Sequence, residues 1–424
     1  MTEASAAGTA ALRSEDEVSF KALTGRRIVV ICQGLPHPSR GASRVLFYYY
    51  VEGLLEAGVK VTLLVLDEGA SPPEERDVES LREMLAARGE IEIRRVPGFP
   101  LLRHGLFGLS PEEGVARKVE EAVGEAGGDL ALIFDWQAAA VAQDLEIPRV
   151  VWLGDLQFET LYYHTKFAME EGSRRYDRRL LLPLRMAQLK RFYARILAGA
   201  SIIVSSKSSE ERMAALGLRS AYLPYPWPPL PQPDPRPEKA ATPSFLFSGT
   251  LQALGSRAAF HALFRDVYPR LKEAFGAGGF AVLITGLGEL PGWVAAEVEK
   301  RPEIRHLGYV DDLAAVMATA TAFMAPIDVP VGNRSRILTC MAAGLPVVAH
   351  PYTALGNPLL RDGETCLLAS TPDDFVSRLV ALSRDSDLAE ALSRRAEQAY
   401  AAHHFPGVAS ALLVQYLSGT LSKG

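Results

Sequence analysis

Residues 224–243 read PYPWPPLPQPDPRPEKAATP, and nine of these twenty residues are proline. Each proline fixes φ and removes a backbone donor, so this density excludes helix and central strand and predicts a stiff, extended connector. It is read as the boundary between a first domain over 26–223 and a second over 244–406, behind a flexible leader over 1–25. Upstream, RRIVVIC (26–32), KVTLLVL (60–66), IEIRRV (91–96), DLALIF (129–134), RVVWL (149–153) and SIIVS (201–205) alternate with stretches of helical period such as 43–57 and 75–88. Downstream the alternation restarts with SFLFSG (244–249), FAVLITG (280–286), EIRHLG (303–308), TAFMAPI (321–327) and PVVAH (346–350). Helices are expected near 256–275, 289–300 and 334–343, and from about 372 onward. Such alternation predicts βαβ units and parallel sheets, and strands apolar throughout predict helices on both faces. The expected fold class is therefore α/β, with two Rossmann-like doubly wound domains facing each other across a cleft at the carboxyl ends of their strands. A final helix, 407–421, is expected to cross back onto the first domain.

Composition narrows the function classes. The 424 residues exceed what one core usually supports, and 48% apolar with 22% charged residues is ordinary globular usage. A net charge of −5 lacks the basic footprint of a nucleic-acid binder, so no nucleic-acid partner is expected. Cys32, Cys340 and Cys366 are widely spaced, which suggests neither a disulfide framework nor a zinc site. The start lacks a signal-peptide pattern, and no run of about 18 apolar residues occurs. The expectation is a cytoplasmic protein with no metal. An Ala- and Arg-rich composition hints at a GC-rich bacterial genome.

The stretch richest in chemistry is GNRSRILTCMAAGLPVVAH (332–350). After a strand ending near Ile327 and the loop DVPVGN, a helix is predicted to start with Asn333 as its N-cap and Arg334 and Arg336 in its first turn. Cations there oppose the helix dipole at about 0.3–1 kcal/mol each, a placement that makes sense when an anion such as a diphosphate occupies the site. Pairing with Asp328 or solvent is the competing reading.

These residues resemble the donor-binding motif of the family-4 retaining glycosyltransferases, in the form G-x-R-x-K-I-L-E-A-M-A-A-G-x-P-V-V-A. Gly332, Arg334, Ile337, Leu338, Met341, Ala342, Ala343, Gly344, Pro346, Val347 and Val348 match, with Arg336 in the lysine position. SFLFSGTLQALGSRAAF, IRHLGYVDDLAAVMATATAFMAPI and RDGETCLLA resemble other segments of that family's second domain. The resemblance implies a GT-B fold and a hexosyltransferase-type enzyme moving a sugar from a nucleotide-sugar co-substrate of unknown base to an acceptor hydroxyl. It further implies retention of anomeric configuration and no separate cofactor. Arg334, Arg336 and helix amides would stabilise the departing phosphate. Gly249 and Gly255 would let the backbone approach phosphates, with Arg257 contributing charge, and Gly308 with Tyr309 would meet the base. Gly286 and Gly288 add a Gly-x-Gly that is weak by itself. The family glutamate that binds the donor ribose is replaced by Thr339, and Val331 stands at the first glutamate of the family's two-glutamate pattern. Ribose binding elsewhere, an unusual donor and lost catalysis all remain open.

In the first domain, Gly41 and Ala42 take the place of the family's paired glycines, and Ser43 is a predicted N-cap. His37 and Arg40 share that loop and are candidate acceptor contacts, His37 also as a catalytic group. Asp135 and Asp155 follow strand ends and are candidate general bases, with helix N-capping as the alternative. Tyr162, His164 and Lys166 in FETLYYHTKF (158–167) are candidate acceptor residues. Residues 174–195 carry eight basic residues against one acid, interleaved with leucines, a pattern that fits peripheral contact with an anionic inner-membrane surface or grip on a glycan, lipid-linked or small-molecule acceptor. A nucleotide-sugar 2-epimerase and a non-catalytic nucleotide- or glycan-binding scaffold are the rival readings.

Overall fold

The computed structural model describes residues 23–69, 73–105, 108–172, 179–231, 233, 237 and 240–422. The chain divides into two compact units. Unit 1 takes the residues up to Phe158, then Pro183–Trp227 and His403 onward; unit 2 takes Glu159–Leu182 and Pro228–Ala402.

Unit 1 is built on strands β1 (Arg27–Gln33), β2 (Lys60–Leu66), β3 (Ile91–Val96), β6 (Leu130–Phe134), β7 (Arg149–Leu153), β8 (Ser201–Val204) and β9 (Ser220–Tyr222). They form one sheet in the order β3-β2-β1-β6-β7-β8-β9, every pair parallel. The small antiparallel hairpin β4 (Leu102–Gly105) and β5 (Gly108–Pro111) stands apart. Unit 2 repeats the plan with β10 (Ser244–Ser248), β11 (Ala281–Thr285), β12 (Ile304–Gly308), β13 (Ala322–Ala325), β14 (Val347–Ala349) and β15 (Leu367–Leu368), ordered β12-β11-β10-β13-β14-β15 and also all parallel. In each sheet the order reverses once, beside β1 and β6 in unit 1 and beside β10 and β13 in unit 2. At such switch points the loops leaving the strands diverge and open a crevice. Central strands such as β6 (LALIF) and β10 (SFLFS) are buried along their whole length, as helices on both faces require.

Three local results differ from the sequence reading. The segment Glu159–Leu182 groups with unit 2 although it lies within 26–223. Its anchor is Phe167, 1% exposed and stacked on His261 at 5.3 Å. The single helix expected over 256–275 is instead Leu254–Ala262, a π turn over Leu263–Val267, and Tyr268–Phe275. Pro269 opens the last piece, and its missing N–H removes an i→i−4 bond that the wider turn before it accommodates. Helix Ala42–Glu56 starts at Gly41 with no side-chain cap, so Ser43 is not its N-cap.

The helix Pro406–Leu421 lies on helix Ala42–Glu56 within unit 1. Ser410 donates to the carbonyl of Tyr49 (2.9 Å), and a Cβ on Gly53 would sit 2.3 Å from that of Ser410, so only glycine allows this approach. Where the chain re-enters unit 1, Trp227 N–H donates to the His404 carbonyl (2.9 Å) and the buried His404 Nδ1 donates to the Tyr225 carbonyl (2.8 Å).

Candidate functional site

In unit 2 the chemistry gathers at the carboxyl ends of β10, β11 and β13. Gly249 follows β10 at φ 144°, and Gly286 follows β11 at φ 154°, conformations that L side chains rarely adopt. A Cβ on Gly286 would stand 1.7 Å from the Gly249 carbonyl oxygen, so two loop backbones touch here. They are tied by Gly249 N–H to Thr285 O (3.2 Å) and Leu287 N–H to Gly249 O (3.2 Å). The Ser335–Ala342 helix begins after the loop that leaves β13, with Arg334 rather than Asn333 at its N-cap position and Arg336 one residue inside.

Both arginines fold back over the glycine loop. A Cβ on Gly249 would stand 2.4 Å from the Arg336 guanidinium carbon, and one on Gly255 would stand 3.3 Å from an Arg334 terminal nitrogen. The volume these glycines vacate is taken by arginine side chains in this structure. Arg336 lies 5.3 Å from the Phe247 ring centroid and donates to the Ser256 hydroxyl (3.1 Å). Among the described residues no carboxylate pairs with it. Burial first, and the neighbouring Arg334 second, pull its pKa down to about 9. A partly desolvated cation beside another cation favours binding an anion.

The other candidates of this unit are placed as follows. Arg257 is held in a two-pronged pair by Glu171 (2.9 and 2.7 Å) and lies 3.5 Å from His164 Nδ1, so its charge already has a carboxylate. Lys166 is 4.0 Å from Glu170, and Tyr162 is exposed beside Tyr163. Of the candidate acceptor residues, Tyr162, His164 and Lys166 thus stand in unit 2, and Arg40 in unit 1. Gly308 takes φ 69° at the end of β12 and accepts from the Thr285 hydroxyl (2.7 Å), while Tyr309 projects into solvent. Thr339 is buried, and its hydroxyl donates back to the Ser335 carbonyl (3.2 Å).

In unit 1, Asp135 and Asp155 follow β6 and β7. Asp135 holds φ 73°, unusual for a residue with a side chain, and its carboxylate accepts from the Trp136 amide (2.8 Å) at the start of a short helix. Burial raises its pKa to about 6; the Trp136 amide opposes this and the Asp155 charge adds to it. Tyr193 supports the pair: its hydroxyl accepts from the Gln157 amide (3.2 Å), its ring stacks on Trp136, and the charges of both aspartates act on it. Asp155 itself is exposed. Gly41 sits at φ 74° before Ala42, at the helix start that follows β1. His37 Nδ1 accepts from the Ser39 (3.1 Å) and Arg40 (3.0 Å) amides, and burial with Arg40 and Arg44 lowers its pKa. A neutral ring so bonded carries its proton on Nε2, so His37 is a donor there and not a base. Arg40 is exposed.

A shallow depression of about 420 Å³, lined by Glu120, Asp144 and Glu146 among others, lies where the chain enters β6 and β7, at the opposite end of those strands from Asp135. Its acidic rim disfavours a phosphate. Among the described residues no three metal-ligating side chains converge. Sequence reasoning missed Ser256, Glu171 and Tyr193; each acts through a contact distant in sequence, and only the identity of Tyr193 as an aromatic hints at packing.

The doubly wound pair of units defines the GT-B architecture. The chain aligns with Anabaena HepE, solved with UDP and glucose, at 14% identity and TM-score 0.63 over 93% of this chain and 100% of that one. A glycosyltransferase from Rickettsia africae gives 10% and 0.66 over 94% and 99%, and sucrose-phosphate synthase from Thermosynechococcus elongatus gives 17% and 0.61 over 94% and 100%. No curated protein matches the chain. Residues 242–385, within the second unit, match the family Glycosyl transferases group 1, and the chain has the GT-B fold of these solved structures.

Proposed function

We propose that unit 2 binds the diphosphate of a nucleotide-sugar donor through Arg336 and Arg334, and that unit 1 serves the acceptor hydroxyl through Asp135 and Asp155. The observation that carries this reading is Arg336, a desolvated cation next to a second one, to which no described carboxylate is paired. As the glycosidic bond breaks, negative charge grows on the leaving phosphate, and a guanidinium already in place stabilises it without reorganising. Asp135, strained and held near neutral pKa, suits removal of the acceptor proton. HepE was solved with UDP-glucose, which supports a nucleoside-diphosphate donor for this chain. Retention of configuration is carried over from the motif in 332–350.

The test is a thermal-shift screen against UDP, GDP, ADP, dTDP and CMP with their sugar conjugates. A ligand at a hundred times its dissociation constant adds about 2.7 kcal/mol, several degrees for domains of this size. Stabilisation by one nucleotide family that disappears in Arg334→Ala and Arg336→Ala supports the donor site. No response in the panel, with the protein folded, refutes it; binding without sugar transfer to any acceptor points to the scaffold, and epimer formation without acceptor to the epimerase.

The proposal extends to location: a cytoplasmic enzyme that touches an anionic membrane. Leu180, Leu181 and Leu184 are 80%, 44% and 53% exposed, and from Arg179 to Arg195 the chain carries five basic residues and no acid. Apolar side chains among cations match an anionic lipid surface. Residues 174–178, which complete the basic segment, lie outside the described residues. Neutralising Arg174, Arg175, Arg178 and Arg179, or changing the three leucines to serine, should abolish co-sedimentation with phosphatidylglycerol vesicles; unchanged partitioning refutes the contact.

A further inference from the structure

Arg336 is aimed by a single buried hydroxyl. Ser256 is fully buried in the first turn of the Leu254–Ala262 helix, and its one proton goes to the Thr250 carbonyl at 2.7 Å. Its oxygen therefore presents only lone pairs to Arg336, whose NH1 donates to it at 3.1 Å. The same Thr250 carbonyl accepts from the Ala253 amide (3.1 Å), so the hydroxyl closes the loop over 250–256 and orients the guanidinium together. On one side the guanidinium meets the Phe247 ring, and on another it fills the space above Gly249. Among the described residues this is the one hydrogen bond the Arg336 guanidinium makes, which leaves its other N–H groups for a ligand.

We propose that Ser256 is a positioning residue for the anion site: its hydroxyl locks one edge of the Arg336 guanidinium against the glycine loop so that the other edge meets a diphosphate already oriented. This rests on the reading of unit 2 as the donor site. A long cation that is not pre-aimed loses rotamer freedom when the ligand arrives, and that loss appears in affinity. A purely structural serine would instead affect the fold and leave binding per folded molecule unchanged.

The experiment is a double-mutant cycle on the full chain: wild type, Ser256→Ala, Arg336→Ala and the double variant. Inorganic pyrophosphate and UDP are titrated into each, with phosphorus line broadening and calorimetry as readouts. Ser256→Ala is expected to weaken both probes roughly tenfold, to leave the melting temperature within a few degrees, and to have no further effect once Arg336 is alanine. Ser256→Thr, which keeps the hydroxyl, should restore binding wherever its melting curve shows a folded protein. Equal binding in wild type and Ser256→Ala overturns the proposal, as does the same loss in both Arg336 backgrounds. Failure of wild type to bind either probe instead overturns the donor-site reading beneath it.

Discussion

Replacing Arg336 by methionine should make the protein more stable and less able to bind its donor. A guanidinium ordinarily titrates above 12, and here burial beside Arg334 brings it to about 9. At about 1.4 kcal/mol per tenfold, that corresponds to a penalty on the order of 4 kcal/mol against the charged form at neutral pH. Methionine loses the contact with Phe247, about 1 kcal/mol, and the bond to Ser256, about 1.5 kcal/mol. The net gain is about 1–2 kcal/mol, or roughly 3–6 °C for a unit of this size. The pH sign follows from linkage. Above pH 9 the unfolded chain keeps this proton while the folded one releases it, so the penalty is full below pH 9 and fades as pH rises. Differential scanning fluorimetry from pH 7 to pH 10 should show the variant melting higher at pH 7 and the gap narrowing toward pH 10, while UDP no longer shifts the transition. A variant that melts lower at pH 7, or a gap independent of pH, would refute the account of Arg336 as an unneutralised, desolvated cation.

Asparagine at position 135 keeps the shape and tolerates positive φ, so Asp135→Asn should retain the fold and lose at least a hundredfold in transfer rate. The wild-type rate should climb as pH rises through about 6, where this carboxyl ionises. Its raised pKa means that ionisation costs stability above pH 6, so the variant should melt higher than wild type at pH 8 and alike at pH 4. Gly249→Ala should displace the Arg336 guanidinium and weaken nucleotide binding in the same assay, more than Gly276→Ala, whose Cβ meets nothing within 4 Å. Burial lowers the His404 pKa to about 4, so between pH 6.5 and 4 the unfolded chain takes up a proton that the folded one refuses. Acidification should cost on the order of 3 kcal/mol, and His404→Gln should flatten that limb of the melting profile; a slope unchanged by the substitution would sink the assignment.

Much of the fold was legible because strands buried on both faces must be continuously apolar, and LALIF, RVVWL and AVLIT could be read at once. Short edge strands such as Leu367–Leu368 and the Leu102–Pro111 hairpin lacked enough residues to show a period. At the site, Arg334 and Arg336 were legible because charge at a helix start is anomalous by itself. The occupant of the space at Gly249 was not, because a glycine says that room is needed without saying for what. The sequence offers Arg257 as charge for the phosphates, and only the path of the chain reveals Glu171, 86 residues away in sequence, as its partner. His37 reads from sequence as a candidate acceptor contact or catalytic group; that the Ser39 and Arg40 amides donate to its Nδ1 follows from the turn of the loop, which no composition rule shows.

The contact between Ser410 and Tyr49 joins residues 361 positions apart. During synthesis at about 5–20 residues per second, the helix carrying Tyr49 and Gly53 leaves the ribosome tens of seconds before the helix that covers it. Throughout that interval a nascent chain displays an apolar groove with a glycine at its floor, and every residue of unit 2 is made in the meantime. Completion of unit 1 is thus timed by the last segment to emerge, so a premature stop after Ala402 would release a chain whose second unit is intact and whose first invites chaperone capture.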